Sequence, residues 1–332
     1  MESYGWSPFF SESLRAYPGC RSARVASETR GLYQLWTATG PTTLTLKGAW
    51  PQDHPVTGDW VAISDNRIEA LLPRRTKVSR KKAGRAVEEQ VLAANIDIIL
   101  LVTGLDHDYN LRRIERYLLL AAESRADPVI VLNKADLCDD PVSRLQEIDR
   151  LAPNVPAVLL SAIDPGSVAQ LHRYIDPGQT AVLLGSSGVG KSTIVNALLH
   201  RQAQPTQPVR EGDDRGRHTT TGRQLFLLPQ GWLLLDTPGL RELEPWATPE
   251  STDAVFADIA EAAANCHYRD CRHNAEPGCA VRDTINPARL ASYHKLQREL
   301  QAQRRKHHLP AALEEKRKWK AIHKAMRHNP KR

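Results

Sequence analysis

The sequence predicts a multidomain α/β protein, with a small N-terminal β-barrel, a central domain of alternating strands and helices, and a C-terminal helical domain that binds metal. Three observations support this prediction. Apolar runs are short and β-rich up to about residue 85, and longer apolar strands alternate with helices from about residue 95 to residue 244. After Pro245 a Cys/His cluster leads into a basic tail. We therefore expect domains at residues 1–85, 86–245 and 246–332.

Composition is that of an ordinary folded protein. The 332 residues are 41% hydrophobic and 25% charged, which excludes a disordered chain and leaves room for two or three domains. No stretch approaches the roughly 20 apolar residues that span a membrane, and the first residues lack the pattern of a secretory signal. We expect a cytoplasmic, monomeric protein without a membrane partner.

Positive charge is concentrated at the C-terminus. Residues 295–332 hold thirteen Lys or Arg against three Glu, so this tail carries a net charge of +10. Because the whole chain carries +7, the remaining residues carry −3. A second cluster, RRTKVSRKKAGR at residues 74–85, has seven Lys or Arg and no acid. Such a distribution points to a polyanionic partner such as RNA. For residues 74–85 alone, a solvated linker and an RNA contact both remain open.

The first domain is predicted from five short runs with β propensity. These runs are ARVAS, GLYQLWTA, TTLTLKG, DWVAI and RIEALL, and Gly, Pro and Asp separate them. Five short strands at this spacing are typical of a small β-barrel. The pattern does not distinguish an OB-fold from an SH3-like barrel.

The second domain is predicted from four continuous apolar runs. IDIILLVTG, PVIVLN, PAVLLSA and TAVLLGS each end at a polar loop, and a helix with an apolar face, LRRIERYLLLAAES, follows the first. Uninterrupted apolar strands are what a parallel sheet covered on both faces requires.

A phosphate-binding loop follows the fourth of these strands. The motif GxxxxGK[ST] runs from Gly185 to Ser192 between a strand and the helix STIVNALLHR, which is the context that the motif needs. Backbone N–H groups and the helix N-terminus favour bound phosphates. Lys191 is expected to reach the β and γ phosphates, and Ser192 to coordinate Mg²⁺. The loop comprises Gly185, Ser186, Ser187, Gly188, Val189, Gly190, Lys191, Ser192 and Thr193.

Two further segments complete the expected phosphate and magnesium site. DTPG follows the apolar strand WLLLD, so Asp236 is expected to hold Mg²⁺ through water and the Gly239 amide to contact the γ-phosphate. Between this segment and the phosphate loop lies RGRHTTTGR, at residues 215–223. One of its threonines is expected to coordinate Mg²⁺, and Thr220 is favoured over Thr219 and Thr221.

The base is predicted to be guanine. In NKAD, formed by Asn133, Lys134, Ala135 and Asp136, the Asp136 carboxylate can accept hydrogen bonds from guanine N1–H and the exocyclic amine. Adenine lacks this pair of donors and would leave the carboxylate unpaired, which disfavours an ATPase. Lys134 can lie over the purine and the ribose. Ser161 and Ala162, after the next strand, are expected to contact guanine O6 through the backbone.

These loops occur in an unusual order along the chain. In most guanine-nucleotide switch proteins the phosphate loop comes first, whereas here the base-recognition loops at residues 133–136 and 161–162 precede it. Because the nucleotide collects loops from the carboxyl ends of several strands, the connectivity can be permuted without disturbing the site. The sequence therefore predicts a circularly permuted P-loop GTPase domain.

The C-terminal domain contains a predicted zinc site. Cys266, Cys271, His273 and Cys279 form the pattern C-x4-C-x-H-x5-C. Three thiolates and one imidazole complete a tetrahedral set, so we expect one structural Zn²⁺. His267 is an alternative fourth ligand, but it is adjacent to Cys266 and is the poorer geometric choice.

No motif of the sequence identifies the residue that orients the attacking water. Many switch GTPases have Gln directly after the DxxG glycine, but Leu240 occupies this position here. We therefore expect slow intrinsic hydrolysis and a partner that completes the site. His218 is the candidate for positioning water, and the expected catalytic set is His218, Lys191 and Thr220.

With these motifs in this order, the chain closely resembles the bacterial ribosome small-subunit-dependent GTPase A family. The resemblance covers nearly the whole sequence and implies an N-terminal OB-fold, a circularly permuted GTPase domain and a C-terminal zinc-binding domain. It implies that the protein acts in late maturation of the small (30S) ribosomal subunit, binds its rRNA near the decoding region, and hydrolyses GTP to GDP faster when the subunit is bound. The alternative is an RNA-binding scaffold in which the nucleotide is only structural.

Overall fold

The computed structural model describes residues 1–48, 50, 53–81, 89–199, 223–236 and 249–301. The chain forms two compact units, Met1–Lys82 with Glu88–Pro245 and Ala83–Val87 with Trp246–Arg332. The expected barrel and sheet domains both lie in the first unit, so the division into three domains stays a prediction. None of the helices in these described ranges is long and apolar enough to cross a membrane.

The first unit begins with a closed five-stranded barrel. Its strands are β1 (Arg21–Thr29), β2 (Leu32–Thr37), β3 (Gly40–Leu46), β4 (Trp60–Ile63) and β5 (Arg67–Leu71). They follow the order β1-β2-β3-β5-β4, and β4 pairs back onto β1. Only the β3–β5 pair is parallel. This closure is that of an OB-type barrel, which confirms the fold class and decides between the two barrels that the strand pattern left open.

Strand β1 closes the barrel because it is long enough to serve two neighbours. Its first half pairs with β4 and its second half with β2, and Arg24 is opposite both Trp60 and Trp36. Alternate residues of β2 face inward, as a strand with one buried face requires. The barrel core is formed by Ala23, Val25, Tyr33, Leu35, Val61, Ile63 and Ile68.

An N-terminal segment covers one side of this barrel. It contains a 3-10 turn (Glu2–Tyr4) and helix α1 (Pro8–Leu14), with Pro in the first helical turn as is common. The rings of Trp6 and Phe10 lie 4.7 and 5.6 Å from the ring of Trp60, which is fully buried. The segment therefore shields barrel side chains that would otherwise be exposed.

A hairpin links the barrel to the sheet. It consists of β6 (Lys77–Lys81) and β7 (Glu89–Ala94), and part of the basic cluster at residues 74–85 lies on it. Within the cluster, Arg74 donates two hydrogen bonds to the buried Asp59 carboxylate, and Lys77 pairs with Glu89 at 2.7 Å. Arg74 thus stabilises the fold, whereas the cluster's last residues lie outside the described ranges.

The sheet that follows is mostly parallel. Its strands are β8 (Ile98–Gly104), β9 (Asp127–Asn133), β10 (Ala157–Leu159), β11 (Thr180–Leu184), β12 (Gln224–Leu227) and β13 (Leu233–Asp236). All residues of β8 and β11 are buried, as their apolar runs predict. The helices of this region are α2 (Leu111–Ser124), α3 (Pro141–Leu151), α4 (Pro165–Val168) and α5 (Lys191–Leu198), with 3-10 turns at Ala135–Leu137 and Ala169–Tyr174.

The strand order places a crevice in the middle of this sheet. The order is β10-β9-β8-β11-β13-β12, in which only β12 is antiparallel to its sheet neighbour β13. The chain moves outward from β8 through β9 to β10, and then returns to place β11 on the other side of β8. Ligands of open α/β sheets bind at such a reversal, beyond the carboxyl ends of the strands. Here those ends are the loops after Gly104 and after Leu184.

The second unit is helical in its described part. Its helices are α6 (Pro249–Val255), α7 (Ala257–Ala263), α8 (Ala280–Thr284) and α9, which covers residues 287–301. Phe256, Ile259 and Val281 are buried between them, and the rings of Phe256 and Tyr293 lie 5.3 Å apart. The Arg289 guanidinium lies over Phe256 and donates to the Asp258 carboxylate.

Candidate nucleotide site and metal cluster

The phosphate loop has the backbone geometry that its motif predicts. Gly188 and Gly190 have φ angles of 79° and 95°, in the left-handed region that favours glycine. A Cβ atom at Gly185 would collide with the Val102 carbonyl oxygen on the adjacent strand β8. Helix α5 begins at Lys191, directly after the loop, so its free N–H groups face the phosphate-binding turn.

Lys191 remains close to the loop. Its ammonium group donates to the carbonyl oxygens of Gly185 at 2.8 Å and Ser186 at 2.5 Å. Ser192 and Thr193 occupy the first turn of α5 and are half-buried. The predicted positive charge and the predicted magnesium-binding hydroxyl therefore lie next to one another at the start of the helix.

Asn133 connects three loops of the nucleotide site. Its side chain is 1% exposed, and its amide nitrogen donates to the Val189 carbonyl of the phosphate loop at 2.7 Å. Its amide oxygen accepts the N–H of Ala162 at 2.9 Å. The first residue of NKAD thus fixes the spacing between the two base-recognition loops and the phosphate loop.

Asp136 is exposed at the end of the same motif. Its carboxylate accepts a hydrogen bond from the Ser161 hydroxyl at 2.6 Å, which links the NKAD loop to the Ser161–Ala162 loop. The backbone reinforces this link, since Ala135 N–H donates to Leu160 O at 3.1 Å. The carboxylate is therefore oriented and open to solvent, as recognition of guanine N1–H requires.

Lys134 has a partner that the sequence motifs did not indicate. Its backbone has φ of 62°, and its ammonium group lies 2.5 Å from Asp106 Oδ2, on the loop after β8. In the same loop, Asp108 accepts the Ser186 hydroxyl of the phosphate loop and pairs with Arg113. The signal that could have indicated Asp106 and Asp108 is the polar sequence LDHDYN, which directly follows the buried strand β8.

The remaining predicted site residues are only partly described. Asp236 is the last residue of β13 and is half-buried. His218, Thr219, Thr220, Thr221, Gly239 and Leu240 lie outside the described ranges, so their predicted roles stay predictions.

The metal-ligand prediction is matched by a compact cluster in the second unit. The ligand atoms of Cys266, Cys271, His273 and Cys279 all lie within 4.8 Å of one another. The Sγ atoms of Cys266 and Cys279 are 4.0 Å apart, and His273 Nδ1 lies 3.6 and 3.5 Å from them. A tetrahedral zinc ion with Zn–S of about 2.3 Å and Zn–N of about 2.0–2.1 Å needs S···S and N···S separations of about 3.8 and 3.5 Å. The donor set therefore fits Zn²⁺.

The surroundings of the cluster favour His273 over His267 as the fourth ligand. The His267 side chain is exposed and is not among the clustered groups. The backbone N–H of His267 donates to Gly278 O at 3.0 Å. His273 is buried, and burial together with the neighbouring His294 lowers its pKa, which favours the neutral imidazole that binds metal. His294 Nε2 also contacts the His273 carbonyl oxygen at 3.2 Å.

Glu276 organises the turn between His273 and Cys279. Its carboxylate accepts the N–H groups of Arg272, Asn274 and Ala275 at 2.8–3.1 Å. Hydrogen bonds from backbone amides lower the pKa of Glu276 to about 2, so the carboxylate is ionised at neutral pH. The turn that carries two of the four ligands is thus fixed by a single charged side chain.

Comparison with known proteins shows the family of this chain. The sequence profile of the RsgA GTPase family matches residues 71–246. A relative from Opitutus terrae, named small ribosomal subunit biogenesis GTPase RsgA, is 43% identical and covers 98% of this chain and 97% of its own length. This chain belongs to the RsgA GTPase family. Relatives of the same name from Xanthomonas campestris and Methanosarcina acetivorans are 43% and 41% identical and cover 90% and 96% of the chain.

Two solved structures share the fold of the RsgA chain. YjeQ from Thermotoga maritima superposes with a TM-score of 0.65 at 26% identity, over 85% of this chain and 98% of that one. YloQ, described as a circularly permuted GTPase, gives a TM-score of 0.63 at 20% identity, over 86% of this chain and 97% of that one. The second likeness concerns the fold alone.

Family membership settles the reaction class. The chain is a GTPase, which excludes the ATPase alternative, and hydrolysis by this family involves Mg²⁺ with GTP. The residues present fit this chemistry. The phosphate loop follows β11 and leads into Lys191 and Ser192, and Asp236 ends the adjacent strand β13. When bound, Mg²⁺ would neutralise charge on the phosphates of GTP.

Proposed function

We propose that this GTPase acts in late maturation of the small (30S) ribosomal subunit, binds its rRNA, and hydrolyses GTP to GDP under stimulation by the subunit. The observation that carries the proposal is the 43% identity, over nearly the full length of both chains, to a relative with that named role. An OB-type barrel in the same compact unit as the nucleotide site also suits an RNA-dependent enzyme. The protein is proposed to be a cytoplasmic monomer.

The proposed residue roles follow from position in the site. Asp136 selects guanine, and the backbone of Ser161 and Ala162 contacts O6. Lys191 interacts with the β and γ phosphates, Ser192 and Thr220 hold Mg²⁺, Asp236 supports the ion through water, and the Gly239 amide contacts the γ-phosphate. Lys191 and Ser192 begin helix α5, and the other residues lie after the carboxyl ends of strands or in the segments at residues 215–223 and 236–239.

Subunit stimulation is proposed because the chain lacks a side chain that positions water after DTPG. Leu240 cannot donate or accept a hydrogen bond, so intrinsic hydrolysis is expected to be slow. His218 is proposed to orient the attacking water once the subunit is bound. In a scaffold with a purely structural nucleotide, by contrast, subunit binding would leave turnover unchanged.

The decisive experiment measures phosphate release from GTP by the full chain alone, with 30S subunits and with 50S subunits. Selective stimulation by 30S subunits is the expected result. GTP binding without stimulation would favour the scaffold alternative. The variant His218→Ala, compared with His54→Ala in the barrel, tests the proposed water-positioning role by turnover with 30S subunits, and equal turnover of the two variants would refute that role.

The zinc proposal has its own test. Metal analysis of the purified chain is expected to give one zinc ion per molecule. Cys271→Ser should lose this ion, whereas Cys138→Ser, outside the cluster, should keep it. Full zinc content in Cys271→Ser would mean that another residue supplies the ligand.

A further inference from the structure

The loop at residues 105–110, here called the acidic loop, belongs to no recognised nucleotide-binding motif of this chain. It follows β8 at the chain reversal, between the base-recognition loop after β9 and the phosphate loop after β11. Leu105 N–H donates to Asn133 O at 2.8 Å, so the acidic loop is attached to the NKAD motif. We propose that Asp106 and Asp108 are positioning residues for nucleotide binding, Asp106 through Lys134 and Asp108 through Ser186.

Asp106 is fixed at both carboxylate oxygens. Its Oδ1 accepts the Asp108 N–H at 3.0 Å, and its Oδ2 accepts the Lys134 ammonium at 2.5 Å. Its side chain is only 15% exposed. A Cβ atom at residue 104 would lie 2.7 Å from Asp106 Oδ1, so a larger residue there would displace the carboxylate. The backbone therefore leaves room for this carboxylate beside the base-recognition loop.

The charge state of Asp106 is consistent with this role. Burial alone would raise its pKa, but hydrogen bonds from Lys134 and the Asp108 amide outweigh burial and lower the pKa below the ordinary value. The carboxylate is accordingly ionised at neutral pH, and its contact with Lys134 is an ion pair with little solvent around it.

Asp108 performs the corresponding task at the phosphate loop. Ser186, the second residue of that loop, donates its hydroxyl to Asp108 Oδ2. Arg113 pairs with the other carboxylate oxygen and also donates to Ser186 Oγ at 2.9 Å. The start of α2 keeps Arg113 in place, because the Asn110 side chain caps the Arg113 N–H. Ser186 is thus connected to α2, a helix that contains none of the predicted nucleotide-binding residues.

These contacts should act on affinity more than on the chemical step. A lysine side chain loses rotamer freedom when it is fixed over a ligand, and a partner that fixes it beforehand lowers that cost. The base and ribose do not change during hydrolysis, so the Asp106–Lys134 pair contributes equally to substrate and transition-state binding. Loss of such uniform binding raises KM and leaves kcat unchanged.

The first test compares Asp106→Asn with Asp139→Asn. Asp139 is an exposed carboxylate three residues after Asp136 and is the matched control. Binding of fluorescent GDP and GTP analogues to the isolated chain is measured, together with single-turnover hydrolysis at saturating GTP. We expect about tenfold weaker binding of both nucleotides by Asp106→Asn and an unchanged hydrolysis rate. Wild-type affinity in Asp106→Asn would overturn the proposal for Asp106.

A double-mutant cycle separates positioning from general damage to the fold. If Asp106 acts through Lys134, then Asp106→Asn should have no further effect on affinity in a Lys134→Met background. Independent, multiplicative losses would overturn the proposed route through Lys134. Thermal unfolding of all variants identifies any that fail to fold, and Lys134→Met alone then tests whether the ammonium group that Asp106 holds contributes to nucleotide affinity.

Asp108 is tested at its partner, because Asp108→Asn also disturbs Arg113. Ser186→Ala removes the hydroxyl contact and keeps the Asp108–Arg113 pair. Several-fold weaker binding of GDP and GTP is expected in both variants, with little additional loss when they are combined. Unchanged affinity in Ser186→Ala would overturn this part. No ribosomal subunit enters these measurements, so their failure is distinguishable from failure of the proposed role in subunit maturation.

Discussion

Asp136 is the single side chain that we propose to select the base. A carboxylate only accepts hydrogen bonds, and guanine offers two adjacent donors to it. The Ser161 hydroxyl already donates to one carboxylate oxygen, which fixes the orientation of the group before the nucleotide arrives. In this proposal, base specificity comes from the match of hydrogen-bond donors and acceptors between guanine and the Asp136 carboxylate.

Replacing Asp136 with Asn should change base preference. The amide offers one acceptor and one donor, which suits xanthine, with N1–H and a C2 oxygen, better than guanine. We expect Asp136→Asn to bind GDP at least about 100-fold more weakly and to gain affinity for xanthosine diphosphate. Competition against a fluorescent nucleotide measures both. Retained preference for GDP would show that another residue selects the base.

At the scale of elements, the Cys/His cluster depends on a turn rather than on a core. The segment from Arg272 to Ala275 has no regular strand or helix, and Glu276 supplies the acceptor for three of its N–H groups. Because the pKa of Glu276 lies well below its ordinary value, this stabilisation persists at neutral pH and is lost only as the pH falls toward about 2.

Glu276→Ala should therefore weaken metal binding without removing a ligand. Outer partners of metal ligands typically contribute about 10- to 100-fold to metal affinity. We expect faster zinc release from Glu276→Ala to a colorimetric chelator at neutral pH. Glu261→Ala, an exposed residue on α7, is the matched control. Equal release rates in the two variants would mean that the turn does not depend on Glu276.

At the scale of the whole molecule, the barrel and the sheet of the first unit are joined by a buried charge. The Arg24 side chain on β1 is 1% exposed. Its guanidinium donates to Tyr4 O in the N-terminal segment, to Asn95 O at 3.0 Å, and to Thr180 Oγ1 on β11 at 2.7 Å. Burial lowers the pKa of Arg24 to about 10, but the group remains charged at neutral pH.

The same junction involves β12, the strand that follows the segment at residues 215–223. Ser27 of β1 pairs with Gln224 of β12, and the Thr57 hydroxyl donates to Arg223 O at 3.3 Å. The barrel is therefore an extension of the sheet through β1 and β12.

Replacing Arg24 with Met should destabilise the first unit strongly. The change removes the guanidinium donor from the carbonyl oxygens of Tyr4 and Asn95 and from the Thr180 hydroxyl, and we expect the free energy of unfolding to fall by about 3–5 kcal/mol. Arg21→Met on the same strand is the control, since its pair with Asp65 is exposed and should contribute less than about 1 kcal/mol. Urea unfolding followed by tryptophan fluorescence compares the two. Equal stability of the variants would refute a structural role for Arg24.

The C-terminal tail is expected to affect binding of the whole molecule to RNA through its positive charge. Residues 302–332 hold eleven Lys or Arg against two Glu, or a net +9, and lie outside the described ranges. If the tail contacts phosphates, its deletion should weaken binding to 30S subunits and flatten the dependence of log affinity on log salt concentration. Filter binding across a salt series measures both, and an unchanged slope would exclude phosphate contacts by the tail.

The sequence by itself determined the features that depend on short, fixed spacings. These features are the phosphate loop, NKAD, the Ser161–Ala162 pair and the four predicted metal ligands, none of which spans more than fourteen residues. The order of the loops along the chain shows the permutation directly. The continuous apolar runs gave the buried strands β8, β9 and β11 for the same reason, because burial on both faces leaves a local signal.

Only the tertiary structure decided the features that depend on distant partners. Closure of the barrel by β1 and β4 makes it an OB-type barrel, and no local pattern encodes that pairing. Arg24 meets Thr180 across 156 residues of chain, and Ser186 meets Asp108 across 78. A charged residue in a sequence shows no sign of whether it will be buried, since its partners are brought to it by strands elsewhere. The sequence assigned no role to Arg24, Asp106 or Asp108, and it placed Arg74 in the basic cluster without indicating its partner Asp59.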